Sequence, residues 1–168
     1  LNLFKYSGSD TVNNGTFVKI MSGWTSDGEL HSSDPFASQY TNVVSLRYGV
    51  RPSVTATATG EAAIGMTLYD VREVDENGEK LIFNPRKAAE MQVALSGQAV
   101  PIVTRGVFLY SGVAGTVVPG ASLYATTNGE LTVQITGADP TIGGSRQANK
   151  VGVALGPKDG RGLVLIKI

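Results

Sequence analysis

At 168 residues and 42% hydrophobic, the chain can bury a real core, as one domain or as two small, intimately packed lobes. Fourteen basic and fourteen acidic residues cancel, and no Lys/Arg run stands out, so nucleic-acid binding, which normally needs a basic surface to displace counterions, is disfavoured, with local patches left open. Cysteine is absent, which excludes disulfide frameworks, thiolate zinc sites and cysteine nucleophiles together.

The chain has 21 glycines and short runs of Val, Ile and Thr, with no long 3.6-residue period. That pattern predicts an all-β fold: a compact β-barrel or β-sandwich with one short helix near 85–91, an extended N-terminal arm and a polar insertion. The apolar run Leu163-Val164-Leu165-Ile166 is far too short to span a bilayer, so no membrane partner is expected. The first ten residues lack the apolar segment and cleavage site of a signal peptide, and a chain starting at Leu is expected to be trimmed or processed.

In chain order, residues 1–15 read as the arm and 16–168 as a single β domain. Leu1, Leu3, Phe4 and Tyr6 are apolar, with Asn2 and Lys5 between them. They fit either an edge strand on the chain's own core or an arm laid on a partner. Asn13-Asn14-Gly15 marks a turn before a strand over 16–21; Asn14-Gly15-Thr16 also matches a glycosylation sequon, read as chance. Residues 22–59 form a loop-rich polar insertion carrying Trp24, Phe36, Tyr40 and Tyr48, with strands expected over 43–48 and 53–58. Aromatic side chains in such a segment cover the domain's own rim or contact another molecule.

Residues 61–76 look like one long strand, closed by a two-residue Asn77-Gly78 hairpin into 79–83. Asn84-Pro85 is an N-cap followed by proline at the first helical position, so a helix should run over 85–91 and a strand over 92–95. Strands then follow over 100–105 and 107–110, broken at Gly106, with a tight turn at Val117-Val118-Pro119-Gly120. An Asn128-Gly129 hairpin leads into an amphipathic strand over 131–136, and 137–149 reads as a loop. Residues 150–155 and 163–168 should pair across Asp159-Gly160. The last strand is apolar on both faces until Lys167, which predicts that it is central or covered.

A weak internal echo runs through this order. Residues 11–18 resemble 116–123, and 63–68 resemble 150–155, each an apolar strand with glycine at a matched place. Two pseudo-equivalent halves or two small barrels would produce it, as would chance among Gly/Val/Thr-rich segments.

Chemistry is sparse. His31 is the only histidine, so a Ser-His-Asp triad or an imidazole metal site has little to work with, and no phosphate-binding glycine motif is present. No cofactor or metal is therefore expected. The carboxylates Asp70, Glu73, Asp75, Glu76 and Glu79 could in principle do paired acid/base work, which would make the chain an enzyme. Their alternation with Arg72 and Lys80 around an Asn-Gly turn instead predicts a solvated hairpin.

Residues 96–131 and the tail carry a family resemblance. Gly106-Val107-Phe108 is followed by Val117, Gly120, Leu123-Tyr124-Ala125, Asn128-Gly129 and Leu131, then by Val151-Gly152-Val153-Ala154 and a terminal apolar strand. This succession resembles the head-decoration, or capsid cement, proteins of tailed bacteriophages over roughly residues 60–168, with 96–168 the most recognisable portion. The resemblance implies a structural virion protein on the outer capsid surface, bridging neighbouring major capsid subunits and stiffening the shell. It also implies copies of the chain associated as dimers or trimers, with the arm from Leu1 to Tyr6 adding a strand to a capsid subunit. The expected partner contacts are Leu1, Leu3, Phe4, Tyr6, Trp24, Phe36 and Tyr40. The aromatic insertion also admits a different class, a carbohydrate- or host-surface-binding module in which rings stack on sugars.

Overall fold

Residues 2–7, 11–22, 53–133 and 150–168 are described by this computed structural model, and they are mostly strand. Asn2–Tyr6 (β1) is not an extended arm. It runs antiparallel to Ala99–Val103 (β8), with Phe4 opposite Val100, and parallel to Ser53–Ala56 (β4), with Tyr6 opposite Val54. Phe17–Ser22 (β3) and Gly65–Thr67 (β5) complete a closed five-stranded barrel in the order β1-β4-β3-β5-β8. The physical reason is period two: Phe4 and Tyr6 share a face, and that face looks into the barrel, where Tyr6 is only 1% exposed. With a neighbour on each side, β1 is not the expected edge strand either.

Tyr6, Val18, Val54, Val100 and Ile102 fill the barrel. A three-stranded sheet of Thr11–Val12 (β2), Asp70–Arg72 (β6) and Val93–Leu95 (β7) adds Val12, Val71 and Ala94 to the same core. The long strand expected over 61–76 is thus split between two sheets. Between β6 and β7, residues 73–92 leave the sheet, form a tight 3-10 turn over Leu81–Phe83 where strand was expected, and then the helix Pro85–Glu90 (α1). Asn84 caps α1 by accepting from the Lys87 N–H at 3.4 Å, with Pro85 in its first turn, as the sequence predicts.

The second lobe has six strands: Val107–Tyr110 (β9), Val113–Ala114 (β10), Ser122–Ala125 (β11), Leu131–Thr132 (β12), Lys150–Ala154 (β13) and Val164–Lys167 (β14). Their order is β10-β12-β11-β13-β14-β9. β9 and β10 follow each other in the chain yet sit at opposite ends of the sheet, so the sheet must curl round. Leu123, Leu131, Val164 and Ile166 are buried inside it. Phe17, Met66 and Val103, which face outward from the first barrel, join this second core, so the lobes are not separable domains. Each such side chain contributes about 1.5–3 kcal/mol through burial.

The echo in the sequence is a repeat in the structure. Val18 lies opposite Gly65 in the first lobe, and Leu123 lies opposite Gly152 in the second. The Gly15 N–H donates to Thr67 O at 2.8 Å, and the Gly120 N–H donates to Ala154 O at 2.8 Å. Thr67 donates back to Thr16 O at 3.0 Å and Ala154 to Ala121 O at 2.9 Å. The parallel contact of β1 with β4 has its counterpart in the parallel contact of β10 with β12. Both lobes even use one loop. Asp75 Oδ1 accepts from the N–H groups of Asn77 and Glu79, all at 2.8 Å, and Asp159 Oδ1 accepts from Arg161 and Leu163 at the same distance. Gly78 and Gly162 take the left-handed position, with φ of 83° and 80°. The turn at 75–79 therefore has three loop residues and not the expected two, because the Asp75 side chain selects it.

Candidate interaction surfaces

The sheet formed by β13, β14 and β9 buries one face and presents the other to solvent. Leu109 pairs with Leu165, and Leu155 donates its N–H to Leu165 O at 2.7 Å, giving one cross-strand row of three leucines. Val107, Lys167 and Val153 form the adjoining row. Five of these six outward residues are apolar, and Leu109 is 69% exposed. An antiparallel sheet with one face on a core ordinarily carries polar residues on the other. The positions equivalent to Val153 and Leu155 in the first lobe are Met66 and Leu68, and there the second lobe covers them. β14 is central, as expected of a strand apolar on both faces, but its outer face stays open.

The second surface is the knob made by residues 73–92. Leu81 and Ala88 are buried and anchor it, while Ile82 and Phe83 point away; Phe83 is 82% exposed. The Asp75 carboxylate is fully buried, holds the loop N–H groups, and pairs with the Lys87 ammonium, which also reaches Glu76 at 3.1 Å. Lys87 holds the Asp75 carboxyl below the usual aspartate range, and Asp75, with Glu76, pushes the Lys87 ammonium up. Because the folded value of Asp75 is depressed, its contribution is full above the ordinary value of 3.8 and is lost as pH falls through the depressed value. Asp75→Asn should lower the thermal midpoint by several degrees at pH 7, Asp75→Ala by more, since alanine also abandons the loop N–H groups. Melting curves from pH 7 to pH 2 should show the Asn variant converging on the wild type below pH 3.8; parallel curves would refute the assignment.

A polar cleft of about 570 Å³ opens between the lobes, lined by Asn13, Asn14, Asp70, Tyr110, Asn128 and Glu130 among others. Asp70 is engaged there, accepting from the Asn14 N–H at 2.7 Å and from Arg72 at 2.8 Å. Tyr110 packs edge-on against Phe17, with ring centroids 5.6 Å apart, and its hydroxyl donates to Gly129 O at 3.4 Å. Burial, with Glu130 nearby, pushes the phenol up to about 12. The acidic hairpin is thus only partly the solvated one expected: Glu76 and Glu79 are exposed, but Asp70 and Asp75 hold backbone in place. Among the described residues, no group of three or more His, Asp or Glu side chains could hold a metal ion, and no helix is long and apolar enough to cross a membrane.

The expected contact residues fare differently. Tyr6 is unavailable to a partner, being buried in the barrel, and Phe4 is half-buried against the same core. Leu3 pairs with Pro101 in β8. Leu1, Trp24, Phe36 and Tyr40 lie outside the described residues, as do His31, Tyr48, the strand expected over 43–48 and the loop expected over 137–149. Sequence reasoning did not single out Leu109, Leu155, Leu165 or Phe83 as a surface. The signal was present in Val107-Phe108-Leu109-Tyr110 and Leu163-Val164-Leu165-Ile166, runs apolar at both parities. No protein-family model, curated protein or solved structure matches this chain.

Proposed function

We propose that this chain is a structural virion protein that binds the outside of an assembled tailed-phage capsid and stabilises it by bridging neighbouring major capsid subunits. The observation that carries the reading is the open apolar face of β13, β14 and β9, which suits a chain that ends up covered in a larger assembly. Cysteine-free packing of two lobes around a shared core suits a load-bearing part, and zero net charge suits one that faces away from packaged nucleic acid. Contact at many equivalent lattice sites adds modest interface energies into large shell stability by mass action. The arm no longer figures as a contact, since β1 pairs along Asn2–Lys5 with β8 and at Lys5 and Tyr6 with β4. Trp24, Phe36 and Tyr40 stay as proposed contacts. Purified protein added to expanded capsids that lack it should co-sediment in a fixed ratio to the capsid subunit and raise the temperature at which the shells rupture. Capsids that bind none of it, or rupture at an unchanged temperature, would sink the reading.

A further inference from the structure

We propose that the open apolar face of the second lobe receives the 73–92 knob of a second copy, so that copies of the chain join head to tail. The inference rests on the assembly reading above and names the partner of that same face.

The two surfaces match in chemistry. The face offers the row Leu155, Leu165, Leu109 with Lys167 beside it, and the knob offers Ile82 and Phe83 on a tip held by two buried residues and the Asp75–Lys87 pair. A braced tip loses little freedom on docking, so more of the apolar burial survives as affinity. The two surfaces also match in charge. Residues 73–92 carry five carboxylates (Glu73, Asp75, Glu76, Glu79, Glu90) against three cations (Lys80, Arg86, Lys87), a net of −2. The described part of the second lobe, residues 105–133 and 150–168, carries five cations against Glu130 and Asp159, a net of +3.

Charge decides between the possible pairings. Face against face would bring the lysines at 167 of two copies toward each other; knob against knob would set the exposed Glu76 and Glu79 of one copy against those of the other. Only knob on face brings opposite charges together. Because knob and face are different surfaces, the contact is heterologous, and copies must close into a ring or continue as an open chain.

Light scattering on the eluting full-length chain tests this at roughly 100 µM, well above a micromolar Kd. The wild type should be larger than a monomer and should dissociate partly in high salt, as opposite charges are screened. Phe83→Asp and Leu109→Asp, both at exposed positions, should each be monomeric with unchanged melting curves. Mixed in equal amounts, they should form a dimer and nothing larger, because one copy keeps its knob and the other its face. A monomeric wild type, an oligomer that survives either single variant, or a mixture that stays monomeric would each overturn the proposal. A monomeric wild type that still coats capsids would overturn this inference alone; oligomers that never bind capsids would overturn the capsid reading alone.

Discussion

Alanine at Gly65 or at Gly152 should destabilise the protein by about 3 kcal/mol, enough to abolish folding in a marginal host. A Cβ at Gly65 would stand 2.1 Å from Val103 O, and one at Gly152 would stand 2.3 Å from Lys167 O. Both obstacles are backbone carbonyls of the neighbouring strand, so relief requires β5 to move off β8, or β13 off β14. Each movement would open a sheet whose inner face holds Ile102 or Ile166, both fully buried. Gly156 and Gly160 provide the comparison: neither has a left-handed φ, and a Cβ at either meets nothing within 4 Å. Alanine there should change stability by less than about 0.5 kcal/mol. Urea midpoints of the four variants measure the difference directly. Wild-type stability in Gly65→Ala or Gly152→Ala would mean that the close strand approach, and with it the equivalence of the two lobes, is wrong.

The second large effect concerns binding. Leu109→Asp should leave the thermal midpoint within about 2 °C of wild type, because the side chain contributes to no core. It should weaken capsid binding at least about 100-fold, because copies that no longer join head to tail lose the avidity of a linked array. Phe108, one residue earlier, packs inward against the second core, so its substitution would test folding instead. Co-sedimentation with capsids, paired with a melting curve, separates the two. Full binding by Leu109→Asp would remove this face from the interface.

Much of the local structure was legible. The capped helix, the turn around Pro119-Gly120 (closed by the Ala121 N–H on Val118 O, one residue later than expected) and the pairing of β13 with β14 all follow from glycine, proline and period-two signals that act over a few residues. The repeat was visible as an echo, because the glycines in 63–68 and 150–155 are fixed by the same close approach. Barrel closure was not legible. The parallel contact of Tyr6 with Val54 joins segments 48 residues apart in sequence, and nothing local marks it. An apolar terminal segment looks the same whether it fills its own barrel or a partner's groove. The short turn was misread because Asn77-Gly78 resembles a two-residue hairpin, while the Asp75 side chain two residues upstream controls the loop.

The apolar face was half-legible for a related reason. Runs such as Leu163-Val164-Leu165-Ile166 announce that both faces of a strand need cover, but not what supplies it. In the first lobe the cover comes from the second lobe; in the second lobe Leu109, Leu155 and Leu165 stay exposed among the described residues.

A density map of the assembled particle tests whether assembly covers this face. One copy of this chain is expected at repeated positions on the outer shell surface, with the Leu155–Leu165–Leu109 row buried in an interface. A particle in which that row faces solvent, or a shell that carries no copies of the chain, would contradict that expectation.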